Sequence, residues 1–257
     1  MKKSKRILYQ FPLSLYCEKT RWNLDFKGLD YSCKNLLPGL HVFSAWAIAQ
    51  QRSLPILRDN QQVIGDSTNI ALYLENLYPQ LPLIPSELAI QKQVLKYEQY
   101  FDELGDHVRR LCWSMVIDQP EIVEIFFNFT GYSPFQRFIT HYSESILRLM
   151  IRKTFQIYQP QVINSNQKVT DALDLLEQHL NGNEKNYLVN NQFSLADLTA
   201  ASMLAPLIGP ENSPWADSRL PEVASQQRQE LRDRIVGQWV LRIYHNYRSF
   251  NGTDIKQ

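Results

Sequence analysis

The sequence predicts two units: an α/β unit of order βαβαββα at the N-terminal end and an all-α helical bundle after it. Three observations predict this. A short apolar run, Arg6 to Gln10, is followed by a helix opening at Ser14 and a second apolar run, Tyr31 to Leu37; strand, helix, strand implies parallel pairing through a right-handed crossover. Arg52 to Pro79 compresses two apolar runs, a turn at Asp59-Asn60 and a helix, which reads as an antiparallel hairpin feeding a helix. Beyond the Pro-punctuated Leu81 to Pro85, alternation of period two disappears and helical periodicity takes over.

Each element has a local cause. The first strand ends in the loop Phe11-Pro12-Leu13, and Ser14 is a good N-cap. The helix it opens sets Leu15, Trp22, Leu24 and Phe26 among Glu18, Lys19, Arg21 and Lys27, and Gly28 closes it. Pro38-Gly39 ends the second strand, and Val42, Phe43, Trp46 and Ile48 mark a short helix or helical turn within His41 to Gln51. The hairpin runs are Pro55, Ile56, Leu57 and Val63, Ile64. The following helix carries Ile70, Leu74 and Leu77 on one face and stops at Tyr78-Pro79, because a residue before proline resists helical geometry. Asp66 and Ser67 stand at its start, where free N–H groups and the positive end of the helix dipole would hold a carboxylate ligand.

The expected domains are 1–80, of which 1–5 is a basic tail, a linker 81–86, and a helical domain 87–257. Helices are expected at about Glu87 to Asp118, Pro120 to Phe129, Pro134 to Gln159, Ser165 to Gly182, Ser194 to Ile208 and Glu222 to Arg248. In Phe193-Ser194-Leu195-Ala196-Asp197-Leu198, Ser194 and Asp197 have capping-box spacing and Phe193 can staple onto Leu198, so Asp197 is a structural carboxylate. The helix it opens is nearly apolar all round and belongs at the centre of its domain.

The 257 residues are 44% hydrophobic and 21% charged, ordinary values for a soluble globular chain. A net charge of +1 gives no reason to expect nucleic acid or an anionic membrane as partner. The apolar residues after Arg6 are interrupted by Gln10, Pro12, Glu18 and Lys19, and Leu198 to Gly209 is too short for a membrane span. Three cysteines, Cys17, Cys33 and Cys112, are no disulfide framework and fit a reducing, cytoplasmic setting. The histidines share no ligand spacing, and Glu103 with His107 reads as a surface pair, so no metal is expected.

Taken together, Leu54-Pro55 at a strand start, Asp66-Ser67 opening a helix that ends Leu-Tyr-Pro79, and the Ser-x-x-Asp box in a helical second domain resemble the cytosolic glutathione S-transferases, over roughly residues 6 to 250. The resemblance implies a thioredoxin-like N-terminal domain with Pro55 in cis and glutathione as co-substrate. It implies that the backbone of Leu54 pairs with the cysteinyl part of glutathione, and that Asp66 and Ser67 bind its γ-glutamyl end. Ser14 to Arg21 resembles the Ser-Pro-x-Cys-x-x-x-Arg pattern of serine-type members, which makes Ser14 the donor to the glutathione sulfur. Cys17, in the second-cysteine place of a glutaredoxin-like motif, is the secondary catalytic candidate. Leu15 stands where those members have proline, Arg52 where a glycine is common, and Asp66 where glutamate is more frequent. The implied activity joins the glutathione thiolate to a hydrophobic electrophile, and the implied assembly is a homodimer. The alternatives are a catalytically silent ligand-binding or protein-interaction module, or a thiol oxidoreductase using Cys17. Tyr97, Phe101 and Trp113 are candidates for the pocket wall, and the aromatic-rich stretch 120–167 for the wall or a partner surface.

Overall fold

The computed structural model describes residues 6–37, 39–119, 144–216, 220 and 222–248. The first unit runs β1 (Arg6–Gln10), α1 (Leu15–Phe26), β2 (Ser32–Asn35), α2 (His41–Ala49), β3 (Ile56–Asp59), β4 (Gln62–Gly65) and α3 (Ser67–Leu77). Its sheet has the order β2-β1-β3-β4. β1 is parallel to β2 and antiparallel to β3, which pairs antiparallel with β4. Successive side chains of a strand point to opposite faces. The register pairs Leu8 with Leu57 and Tyr9 with Ile56, so the first pair joins a core with Leu24, Ile70 and Leu74 while the second joins Cys17, Leu36 and Ala45.

Two apolar stripes are less buried than their spacing predicts. On α2, Phe43 and Trp46 are exposed at 74% and 59%, and Leu77 at the end of α3 is exposed at 52%. Ala45 is the buried residue of α2.

The helical unit comprises α4 (Leu88–Val116), α5 (Glu144–Thr154), α6 (Gln159–Leu180), α7 (Leu195–Ile208), α8 (Glu222–Asp233) and α9 (Ile235–Tyr247) among the described residues. In α7 every residue but Pro206 is buried. It packs against α1, α4, α8 and α9, so the expected central helix is also the one on which the α/β unit rests. The capping box at Ser194 and Asp197 is present, and Leu195 N–H donates to the Leu83 carbonyl at 2.8 Å, tying the linker to α7. Phe193 lies face to face with Tyr247, centroids 3.9 Å apart, and also meets Trp22 and Phe26.

Three helix boundaries differ from expectation. The single helix expected from Glu222 to Arg248 is broken at Arg234, whose backbone is extended (ψ 155°). Tertiary contacts override propensity here: Arg234 bonds Asp174 and Glu177 on α6, and at Gly237 a Cβ would lie 1.9 Å from the Leu231 carbonyl oxygen. Helix α6 begins at Gln159, ahead of the expected Ser165, with Pro160 in its first turn, where the missing N–H costs no bond. The helix expected from Pro134 to Gln159 is described from Glu144 and ends at Thr154, followed by Gln156 at φ 53°. The expected helix Pro120 to Phe129, the basic tail 1–5 and much of the aromatic-rich stretch lie outside the described residues. Among the described residues no helix is long and apolar enough to cross a membrane.

Candidate functional site

The candidate residues lie at two corners of the α/β unit, and a cavity lined mainly by the helical unit adjoins the first of them. The first corner is the start of α1. Ser14 is its N-cap, with its own N–H on the Phe11 carbonyl at 3.1 Å and its Oγ accepting a long bond from Cys17 N–H at 3.4 Å. It is half-buried, and as an acceptor from the helix its hydroxyl keeps a proton to donate. Arg21, one turn further on, braces the loop before Ser14: it donates to the Pro12 carbonyl at 2.9 Å and to the Gln10 side chain, and pairs with Glu18 at 2.7 Å. Burial alone would raise the Glu18 carboxyl, but Arg248 and Arg21 hold it below its ordinary range.

The second corner joins β3 and α3. The Leu54-Pro55 bond is cis. Asp66 caps α3 at φ 72°, its Oδ1 accepting from Thr68 and Asn69 N–H, both at 3.0 Å. Two first-turn amides expected to face a ligand are therefore already taken by Asp66, whose exposed carboxylate remains within reach of a cation. Ser67 is buried, with its Oγ donating to Asp102 Oδ1 at 3.4 Å.

Beside this corner lies a buried cation of α1. Lys19 is fully buried; its Nζ donates to Glu98 Oε1 at 2.5 Å, Asp102 Oδ1 at 2.6 Å and Thr68 Oγ1 at 2.9 Å. Helices α1, α3 and α4 are thus joined under the ligand corner. The one sequence signal was Glu98 and Asp102, four apart on one face of α4.

The cavity has a volume of about 370 Å³, within the range of small-molecule sites. Leu13 and Leu15, which flank Ser14, line it, as do Leu111, Trp113, Val169 and Leu207. Of the three aromatic candidates only Trp113 lines it; Phe101 belongs to the core and Tyr97 bonds His179 Nδ1 at 3.0 Å. Cys112 also lines the cavity, its thiol pushed up to about 12 by burial.

Cys17 is fully buried, and burial pushes its thiol up against the opposing pull of Arg21 and Ser14. That is the reverse of what a nucleophilic cysteine needs. His107 bonds Ser165 and Glu103 accepts from Gln99. Among the described residues no three metal-ligating side chains are grouped.

Comparison with known proteins bears on this geometry. The family model for the glutathione S-transferase N-terminal domain matches residues 8–82, and that for the C-terminal domain matches residues 153–235. Glutathione S-transferase 1 of Dianthus caryophyllus is 36% identical over 94 residues, 35% of this chain and 42% of the relative. Glutathione S-transferase Z2 of Arabidopsis thaliana is 36% identical over 94 residues, 35% of this chain and 41% of the relative. The chain thus spans about two-fifths of the length of the curated relatives it matches. Among solved structures, a glutathione S-transferase from Methylobacillus flagellatus with GSH bound aligns at TM-score 0.62 and 17% identity, covering 98% of this chain and 100% of that one. The beta-etherase LigF from Sphingobium sp. strain SYK-6 aligns at TM-score 0.60 and 19% identity, covering 93% and 99%. At such identities the structural likeness shows the fold alone. The two domain models fall on the α/β unit and the helical unit in the order the fold requires, and the chain belongs to the glutathione S-transferase family.

Proposed function

We propose that the protein is a glutathione transferase that joins the sulfur of glutathione to an apolar electrophile. One observation carries this reading: Ser14, the cap of α1, stands between Leu13 and Leu15, which both line the apolar cavity. In this reading residues 1–80 bind glutathione, 81–86 link, and 87–257 supply the co-substrate cavity; the working assembly is a homodimer in a reducing cytoplasm.

Asp66 takes the ligand's amine, the Ser67 hydroxyl turns from its long bond with Asp102 to the ligand's carboxylate, and the Leu54 backbone takes its cysteinyl part. Ser14 donates its hydroxyl proton to the glutathione sulfur, and the start of α1 adds its dipole. Lowering the thiol by about two pKa units requires roughly 2.7 kcal/mol, within what a charge-assisted bond and a helix terminus supply. The thiol proton leaves to solvent, the sulfur forms the new carbon–sulfur bond, and the leaving group departs with its electron pair. The Cys17 oxidoreductase reading is disfavoured, because its buried thiol is held protonated.

Calorimetric titration with glutathione, followed by conjugation of 1-chloro-2,4-dinitrobenzene, tests this. Ser14→Ala should lower turnover by about tenfold to a hundredfold, the worth of a hydrogen bond to a charged group, with a much smaller change in glutathione affinity. Undiminished turnover would remove Ser14 from the chemistry. No glutathione binding by the unaltered chain would leave a ligand-binding module instead.

A further inference from the structure

We propose that the cavity selects apolar electrophiles that carry an anionic group, and that Arg109 on α4 holds this group beside the start of α1. The inference rests on the transferase reading of the same cavity and names its substrate class.

Among the described residues, the charged ones lining the cavity are Arg109, Arg228 and Arg234 against the single carboxylate of Glu230. Two of these arginines already perform structural tasks. Arg234 spans Asp174 and Glu177, and Arg228 donates to the carbonyls of Trp215 and Pro206. Arg109 is placed differently. Its guanidinium carbon lies 4.4 Å from the Phe155 ring centroid and 5.6 Å from that of Tyr16, two residues past Ser14. Contacts with two rings orient the guanidinium, whose hydrogen-bond donors lie in its plane.

One of those donors is used: NH2 donates to Asp106 Oδ1 at 2.7 Å, and Tyr16 shares that carboxylate at 2.8 Å. Asp106 is 58% exposed, so water screens this pair. The Arg109 side chain keeps 31% of its surface exposed and lines the cavity, so its charge is open to a ligand there. A carboxylate or sulfonate in the cavity meets that charge in a charge-assisted hydrogen bond. A neutral analogue of the same shape gains no such bond, so discrimination of about tenfold or more is expected.

The test compares matched probes. For conjugation they are 4-chloro-3,5-dinitrobenzoate and 2-chloro-1,3-dinitrobenzene, which both lose chloride to the glutathione sulfur and differ only in the carboxylate. For binding they are 1-anilinonaphthalene-8-sulfonate and N-phenyl-1-naphthylamine, read by fluorescence without turnover. After division by the uncatalysed rates, the kcat/KM ratio of benzoate to neutral probe should exceed one in the unaltered chain. It should fall about tenfold or more in Arg109→Gln and be partly restored in Arg109→Lys, which keeps the charge. The dye affinities should move in the same direction. If neither electrophile reacts, the transferase reading fails and the dye pair alone decides this inference. Ratios that are equal in the unaltered chain and Arg109→Gln overturn it.

Discussion

Asp197 is fully buried at the head of α7, and both carboxylate oxygens are engaged: Oδ1 by Leu188 N–H at 2.9 Å, Oδ2 by Ser194 N–H at 2.9 Å and Ser194 Oγ at 2.8 Å. Burial nevertheless outweighs these bonds and pushes the carboxyl from 3.8 up to about 6. Since the folded chain binds this proton more tightly than the unfolded chain, the contribution is fully present below pH 4 and is lost as pH rises through about 6. Two pKa units correspond to roughly 2.7 kcal/mol. Urea unfolding from pH 4 to 7 should therefore show the stability of the unaltered chain falling relative to Asp197→Asn, which has no proton to release. A difference that stays flat would mean an ordinary carboxyl. The structural role of this residue was legible from Ser-x-x-Asp spacing, because a capping box is a local arrangement. Its raised pKa was not, because burial depends on α1, α4, α8 and α9 closing around α7.

At the scale of elements, the break between α8 and α9 shows where local sequence stops being informative. Glu222 to Arg248 contains no proline, and its residues are compatible with one helix. What divides it is remote: Glu177 and Asp174, more than fifty residues earlier, hold Arg234 in an extended conformation. The turn also brings the backbone of Leu231 and Arg232 against Gly237. An added methyl group would meet backbone atoms at 1.9 and 2.8 Å, which cannot rotate aside. Gly237→Ala should therefore cost about 1–3 kcal/mol in denaturant unfolding, although alanine is the better helix former. A gain in stability would show that the break tolerates a wider gap. The geometry matters beyond α9, since Arg248 at its end donates to Glu18 Oε1 at 2.7 Å and also to Asp25, fixing α1 from the far side. By contrast the Leu54-Pro55 start of the hairpin and the Asp66 cap were readable, each being set within a few neighbouring residues.

Across the whole molecule, the α/β unit is held on the helical unit by polar contacts that lead back to α1. Trp22 Nε1 donates to the Tyr247 carbonyl at 3.0 Å, Tyr16 bonds Asp106, and Lys19 reaches Glu98 and Asp102. None of these pairs was legible, because each joins positions about eighty or more residues apart and carries no periodicity. The Lys19 cluster matters most for function: its partners include Thr68, and Asp102 also accepts from Ser67, so the proposed γ-glutamyl corner on α3 is set by a cation of α1 and two acids of α4. Removing the cation leaves the Glu98 carboxylate, only 3% exposed, without its charge partner. Breaking such a buried pair costs about 3–5 kcal/mol, whereas replacing both partners costs less. Lys19→Met should therefore lower unfolding stability by about that amount and weaken glutathione binding by loosening Ser67 and Thr68. Lys19→Met with Glu98→Gln should recover part of the stability. It should recover little of the binding, because Asp102 still lacks the ammonium that fixes it beside Ser67. If the double variant instead restored glutathione affinity in full, the cluster would serve the union of the two units alone and the ligand corner would stand without it.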